Sequence, residues 1–76
     1  MPNSANNSLP PLEWVRSFEA AGRLGNFTTA ANDLGLTQAS ISQHIRALED
    51  WLDITLFRRL PRGVELTADG EAYLPH

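Results

Sequence analysis

The chain has no cysteine, no lysine and a single methionine in 76 residues. Without cysteine, neither disulfides nor thiolate metal sites can hold the fold together. The two histidines, His44 and His76, stand too far apart in sequence to make a local metal pair. Apolar runs are short, and none approaches the roughly 20 residues of a membrane-spanning helix. Met1 to Pro11 has neither the basic start nor the apolar stretch of a secretion signal, so a cytoplasmic location is expected. A catalytic constellation is also missing. No nucleophile, histidine and acid stand in a recognisable arrangement, and Gly22-Arg-Leu-Gly25 is too short for a phosphate loop. Neither enzyme activity nor a metal or cofactor is expected of this domain.

Positive charge is scarce too: six basic residues face nine acidic ones, a formal net charge of −3. That balance argues against indiscriminate binding to polyanions. Its distribution says more. Every basic residue is arginine, which suits bidentate and groove-inserted contacts better than a diffuse basic cloud. Residues 54–64 hold Arg58, Arg59 and Arg62 and no acid. What remains is one small domain, of a size at which a single core is only just sufficient. Hydrophobic residues make up 42% of the chain, with two Trp, one Tyr and three Phe among them.

The pattern of those residues is mainly helical. Residues 1–9, rich in Asn and Ser, are expected to be a disordered leader. Pro10 and Pro11 stand where a helix can begin, and Leu12, Val15 and Phe18 give it an apolar stripe running to about Ala21. Gly22 and Gly25 should end it. Asn26 can cap a second helix whose Phe27, Ala30, Ala31 and Leu34 share one face, with Gly35 as its left-handed stop. Thr37 can cap a third helix over about 37–52, with Ile41, Ile45 and Leu48 inward and Asp53 at its end. Two helices this short and close must cross steeply, as in a helix-turn-helix. Then Ile54 to Arg59 has strand composition, Leu60-Pro-Arg-Gly63 is a turn, and Val64 to Thr67 alternates like a returning strand. This hairpin is a wing. Thr67 can cap a fourth helix, with Asp69 and Glu71 suited to its positive end, but the pattern stops after a turn or two. The expectation is a mainly α winged helix-turn-helix with a small β-hairpin over residues 10–66. Residues 67–76 would then be the start of a further helix in a longer protein.

The outward face of the third helix points to a function. Gln38, Ala39, Ser42, Gln43 and Arg46 fall at i, i+1, i+4, i+5 and i+8. Amides can pair with adenine edges, small residues permit close approach, and arginine takes guanine or phosphate, as a helix in a DNA major groove requires. The plain alternative is a solvated polar face, since such faces are usually just wet. Thr37 serves first as a cap, and a helix N-terminus also attracts phosphate. Thr28 and Thr29 share that ambiguity, Thr28 being preferred for the contact. His44 reads as a partly buried or surface residue. Arg58 and Arg59 have Asp50 and Asp53 as candidate ion-pair partners, while Arg62, at the turn tip, has no structural task in view. Trp14, one step off the first helix's stripe, is a core residue or faces a partner.

Four segments carry a family resemblance: Phe27-Thr-x-Ala-Ala-x-x-Leu34, Leu36-Thr-Gln-Ala-Ser-Ile-Ser-Gln-x-Ile-Arg-Ala-Leu-Glu49, Leu56-Phe-x-Arg59 and Leu66-Thr-x-x-Gly70. In this order and spacing they resemble the N-terminal domain of LysR-type transcriptional regulators. Leu9-Pro-Pro-Leu12 and Glu71-Ala-Tyr-Leu-Pro75 look most like the subgroup of glycine-cleavage and β-lactamase-inducing regulators. The resemblance implies a bacterial regulator of transcription that reads an interrupted palindromic operator in double-stranded DNA. It implies the recognition helix in the major groove and the wing, 60–63, at the adjacent minor groove. It also implies a homodimer through a long fourth helix, scope for a tetramer at full length, and a small-molecule effector bound by a C-terminal domain absent here. Carried over by position, Gln38, Ala39, Ser42 and Gln43 face bases; Thr28, Thr37 and Arg46 hold the backbone; Arg59 and Arg62 serve the wing. Three positions depart from the family's habit: Gln43 where Arg is frequent, Asp53 where Gly is usual, and Glu65 where a basic residue is common. The rival expectation is a winged-helix module for protein association, using Trp14 and the fourth helix.

Overall fold

A computed structural model describes residues 9–74; the expected leader, apart from Leu9, and Pro75-His76 lie outside them. Four helices and one hairpin follow in order: α1 (Leu12–Leu24), α2 (Phe27–Leu34), α3 (Gln38–Leu52), β1 (Phe57–Arg59), β2 (Val64–Leu66) and α4 (Ala68–Tyr73). The helix boundaries follow from local chemistry. Asn26, Thr37 and Thr67 each accept a backbone N–H three residues on, at 3.0 Å. Each such cap contributes about 1 kcal/mol by satisfying a donor that the helix itself leaves orphaned. At the other ends, Gly25, Gly35 and Asp53 are left-handed, with φ of 70°, 70° and 59°. Asp53 is the one non-glycine with positive φ among the described residues, at a helix end where glycine would be easier.

α1 packs across both α2 and α3, and α2 leads into α3 through the three residues 35–37. Phe18, Ile41, Leu48 and Leu56 are fully buried at the centre. Around them stands an aromatic cluster that ties the wing to the helices. Phe57 of β1 lies edge-on to Phe18 of α1 at 5.6 Å and to Phe27 of α2 at 5.5 Å. Tyr73 of α4 reaches Phe18 at 5.6 Å. Aromatic pairs of this geometry add about 0.5–1.5 kcal/mol each beyond simple burial. The wing is thus anchored at its foot.

Three sequence expectations need correction. Gly22, expected to help end α1, lies inside it, and Gly25 alone closes the helix. On α1 the buried face is Ser17, Phe18, Ala20 and Ala21, with Trp14 packed at its edge, while Leu12 is 69% exposed. The Leu12-Val15-Phe18 stripe misled because Ser17 is polar. Its hydroxyl is fully buried yet bonded to His44 Nδ1 at 2.7 Å, so burying it costs little. The first strand is also shorter than Ile54–Arg59. The N–H groups of Leu56 and Phe57 donate to the Glu49 carboxylate at 2.8 and 3.3 Å, and the Thr55 carbonyl accepts from the Thr67 hydroxyl at 2.6 Å. Residues 54–56 are therefore held by Glu49 and Thr67, through side chain and backbone, and pairing begins at Phe57.

Candidate nucleic-acid interface

Burial of Ile41, Ile45 and Leu48 fixes the rotation of α3, and the helical period then sets the opposite face outward. Gln38, Ala39, Gln43 and Arg46 are exposed and Ser42 is half-buried. Ala39, Ser42, Gln43 and Arg46 line one shallow cleft. Among the described hydrogen bonds and ion pairs, none uses a side chain of Gln38, Ser42, Gln43 or Arg46.

The face continues to the wing. Thr28, Gln38, Arg59 and Gly63 line a second cleft, and Ser42, Arg46, Glu49 and Arg59 line a third between α3 and the hairpin. Arg59 belongs to both. Strand alternation turns it to the inner side of the hairpin with Phe57, where its guanidinium lies 5.9 Å from the centre of the Phe27 ring. It therefore sits on the inner side of the hairpin, beside α3. Arg62 lies exposed in the four-residue turn, which is closed by the Leu60 N–H donating to the Gly63 carbonyl at 3.1 Å. The wing is held against the α1–α2 turn as Val64 N–H donates to the Gly25 carbonyl at 3.1 Å.

The threonines divide by their partners. Thr29 N–H and hydroxyl both turn to Asn26 Oδ1, at 3.0 and 3.4 Å. The exposed Thr28 hydroxyl has no partner among the described hydrogen bonds and lies in the cleft with Gln38. Thr37 accepts from Ser40 N–H and donates to Ser40 Oγ, both at 3.0 Å, so capping occupies its hydroxyl.

The six arginines separate in the same way. Arg23 bonds Glu19 at 3.0 Å and Asp33 at 3.4 Å, and the Glu19 hydrogen bond above all raises its pKa beyond the ordinary value. Arg58 pairs with Glu65 at 2.8 Å, and not with Asp50 or Asp53 as the sequence suggested. Arg16, Arg46, Arg59 and Arg62 have no carboxylate partner among the described residues. Sequence reasoning missed Glu49, whose carboxylate braces the wing's entry. An acid seven residues before an N–H donor leaves no local pattern to find it by.

These elements define a winged helix-turn-helix domain with an uncommitted polar face on its third helix. The chain belongs to the LysR family: the family model described as bacterial regulatory helix-turn-helix protein, lysR family, matches residues 12–71. It is 51% identical over 65 residues to a carbapenem-hydrolyzing β-lactamase transcriptional activator of Serratia marcescens, covering 86% of this chain and 22% of the activator. The same identity and coverage hold for the glycine cleavage system transcriptional activator homolog of Haemophilus influenzae. The chain thus spans about a fifth of the length of these relatives. Among solved structures, the CbnR DBD–DNA complex matches with a TM-score of 0.83 at 37% identity, over 86% of this chain and 75% of that one.

Proposed function

We propose that this domain binds double-stranded DNA sequence-specifically as the reading head of a bacterial transcriptional regulator. The observation that carries the proposal is the α3 face. Its amide, serine and arginine side chains are uncommitted, and they continue through shared clefts to Arg59 and the wing. In this reading α3 enters the major groove, with Gln38, Ala39, Ser42 and Gln43 toward base edges. Thr28, the capped helix start at Thr37, and Arg46 meet phosphates. Arg59 holds the backbone between the two grooves, and the turn 60–63 places Arg62 at the minor groove. Position comes from the phosphate contacts and discrimination from α3.

A helix continuing from α4 is proposed to pair two copies on an interrupted palindrome, with a tetramer open to the full-length regulator. An effector would bind in a C-terminal domain beyond this chain. The relatives' names place their activity in transcription, which supports a regulator over an enzyme. Among the described residues no helix is long and apolar enough to cross a membrane, which agrees with work in the cytoplasm. Net charge of −3 favours the rival reading, protein association. Against it, Trp14 packs at the edge of the core and offers no more than a half-buried surface.

The test is a titration against DNA from upstream of the domain's own gene, by fluorescence anisotropy over a salt series, with a scrambled duplex as control. Tighter binding to the upstream duplex, weakening steeply with salt, is expected. Equal and feeble binding to both, persisting when the fourth helix is extended to restore the dimer, would favour the association module.

A further inference from the structure

The ion pair on the wing has a consequence for how the domain grips DNA. The hairpin register pairs Phe57 with Leu66, Arg58 with Glu65, and Arg59 with Val64. Alternation sends Phe57, Arg59, Val64 and Leu66 to the inner side and leaves Arg58 and Glu65 on the outer side, turned away from the helices. There Arg58 Nε donates to Glu65 Oε2 at 2.8 Å, with the two side chains 58% and 49% exposed. A pair this open to solvent contributes little to folding. Its effect is on the field: it cancels one of the three cations in the stretch 54–64, the most cationic of the chain.

We propose that Glu65 is an intramolecular competitor for phosphate at Arg58. It withholds one backbone contact from the wing and so lowers sequence-independent affinity, leaving discrimination to α3. The inference rests on the DNA-binding reading above. Glu65 occupies the Nε edge of Arg58, where a phosphate oxygen would otherwise bind, and its carboxylate repels any phosphate brought near. Arg59 and Arg62 are unaffected, one seated against Phe27 and the other at the turn tip. Arg58 is therefore the wing cation whose availability a single acid controls.

The experiment compares the unsubstituted domain with Glu65→Gln, Arg58→Ala and the double variant. Each is titrated by anisotropy against the upstream and scrambled duplexes between about 50 and 200 mM salt, the range over which phosphate contacts show most clearly. Freeing Arg58 in Glu65→Gln should steepen the log–log salt slope by about 0.9, one additional phosphate. The tighter binding should then shrink by about threefold across that range, equally for both duplexes. In the Arg58→Ala background, Glu65→Gln should leave the slope unchanged. The inference is overturned if Glu65→Gln does not steepen the slope, or steepens it as much without Arg58. Thermal midpoints matching the parent show that folding is not the cause. If the unsubstituted domain, with its fourth helix extended to restore the dimer, shows no salt-dependent binding to either duplex, the DNA reading itself falls, and this inference with it.

Discussion

In the proposed reading, α3 and the wing solve different halves of one problem. α3 presents amides, a serine and a single arginine, none of them committed to the rest of the fold. The wing holds three arginines, two of them already engaged: Arg58 with Glu65 and Arg59 against Phe27. The first surface is weak in charge and rich in directional hydrogen bonding; the second is rich in charge, part of it restrained. Hydrogen bonds to base edges discriminate, whereas phosphate contacts hold any sequence alike. A domain with net charge −3 and a self-restrained wing should bind random DNA poorly and depend on α3 for its affinity differences.

The two regions also differ in how they are held, and the largest expected effect exploits that. α3 is fixed by a fully buried row, whereas the wing is fixed at its foot by Phe57 and along one side by the Val64–Gly25 hydrogen bond. Gly63 has φ of 81°, and a β-carbon there would run into the Gly25 carbonyl oxygen. Gly63→Ala should cost about 2–3 kcal/mol through strain and displacement of the wing. In a domain of this size that lowers the thermal midpoint by roughly 10–20 °C. The α3 face would be left intact. Circular dichroism melting checks the stability, and a midpoint within a couple of degrees of the parent would mean that the wing is not pinned to the α1–α2 turn.

A smaller effect probes the other region. Thr37 spends its hydroxyl on Ser40, accepting from the N–H and donating to the Oγ. Thr37→Ala should cost about 1 kcal/mol of stability through loss of the cap. Thr37→Ser should restore the melting midpoint because it restores the cap. If the serine variant melts like the alanine one, capping is not what the hydroxyl supplies.

Most of α2 and α3 was legible in the sequence because their boundaries are written locally. Asn26, Thr37, Gly35 and Asp53 act on neighbours within a few residues, and the apolar faces repeat at the helical period. Thr67 as the cap of α4 was legible for the same reason. What was not legible depends on distant partners. Ser17 was left out of the α1 stripe because its partner, His44, comes 27 residues later. Strand β1 looked twice its length because the groups that bind residues 54–56, Glu49 and Thr67, belong to two helix ends. Arg58 was matched to Asp50 or Asp53 by proximity in sequence, but hairpin register placed Glu65 directly across from it. For the candidate site, the outward set on α3 could be read from spacing. The clefts that join it to Thr28 and Arg59 needed the folded chain.

The central claim is that α3 discriminates while the wing grips, and a paired substitution tests it most directly. Gln43→Ala and Arg62→Ala, each confirmed to melt like the parent, are titrated against the upstream and scrambled duplexes across a salt series. Gln43→Ala should reduce the ratio of the two affinities by about 1–3 kcal/mol, the scale of one bidentate base contact, and leave the salt slope unchanged. Arg62→Ala should weaken both duplexes alike and flatten the slope by about one unit at most. The opposite pattern, with Arg62→Ala changing the affinity ratio and Gln43→Ala changing only the slope, would contradict the division of labour between α3 and the wing.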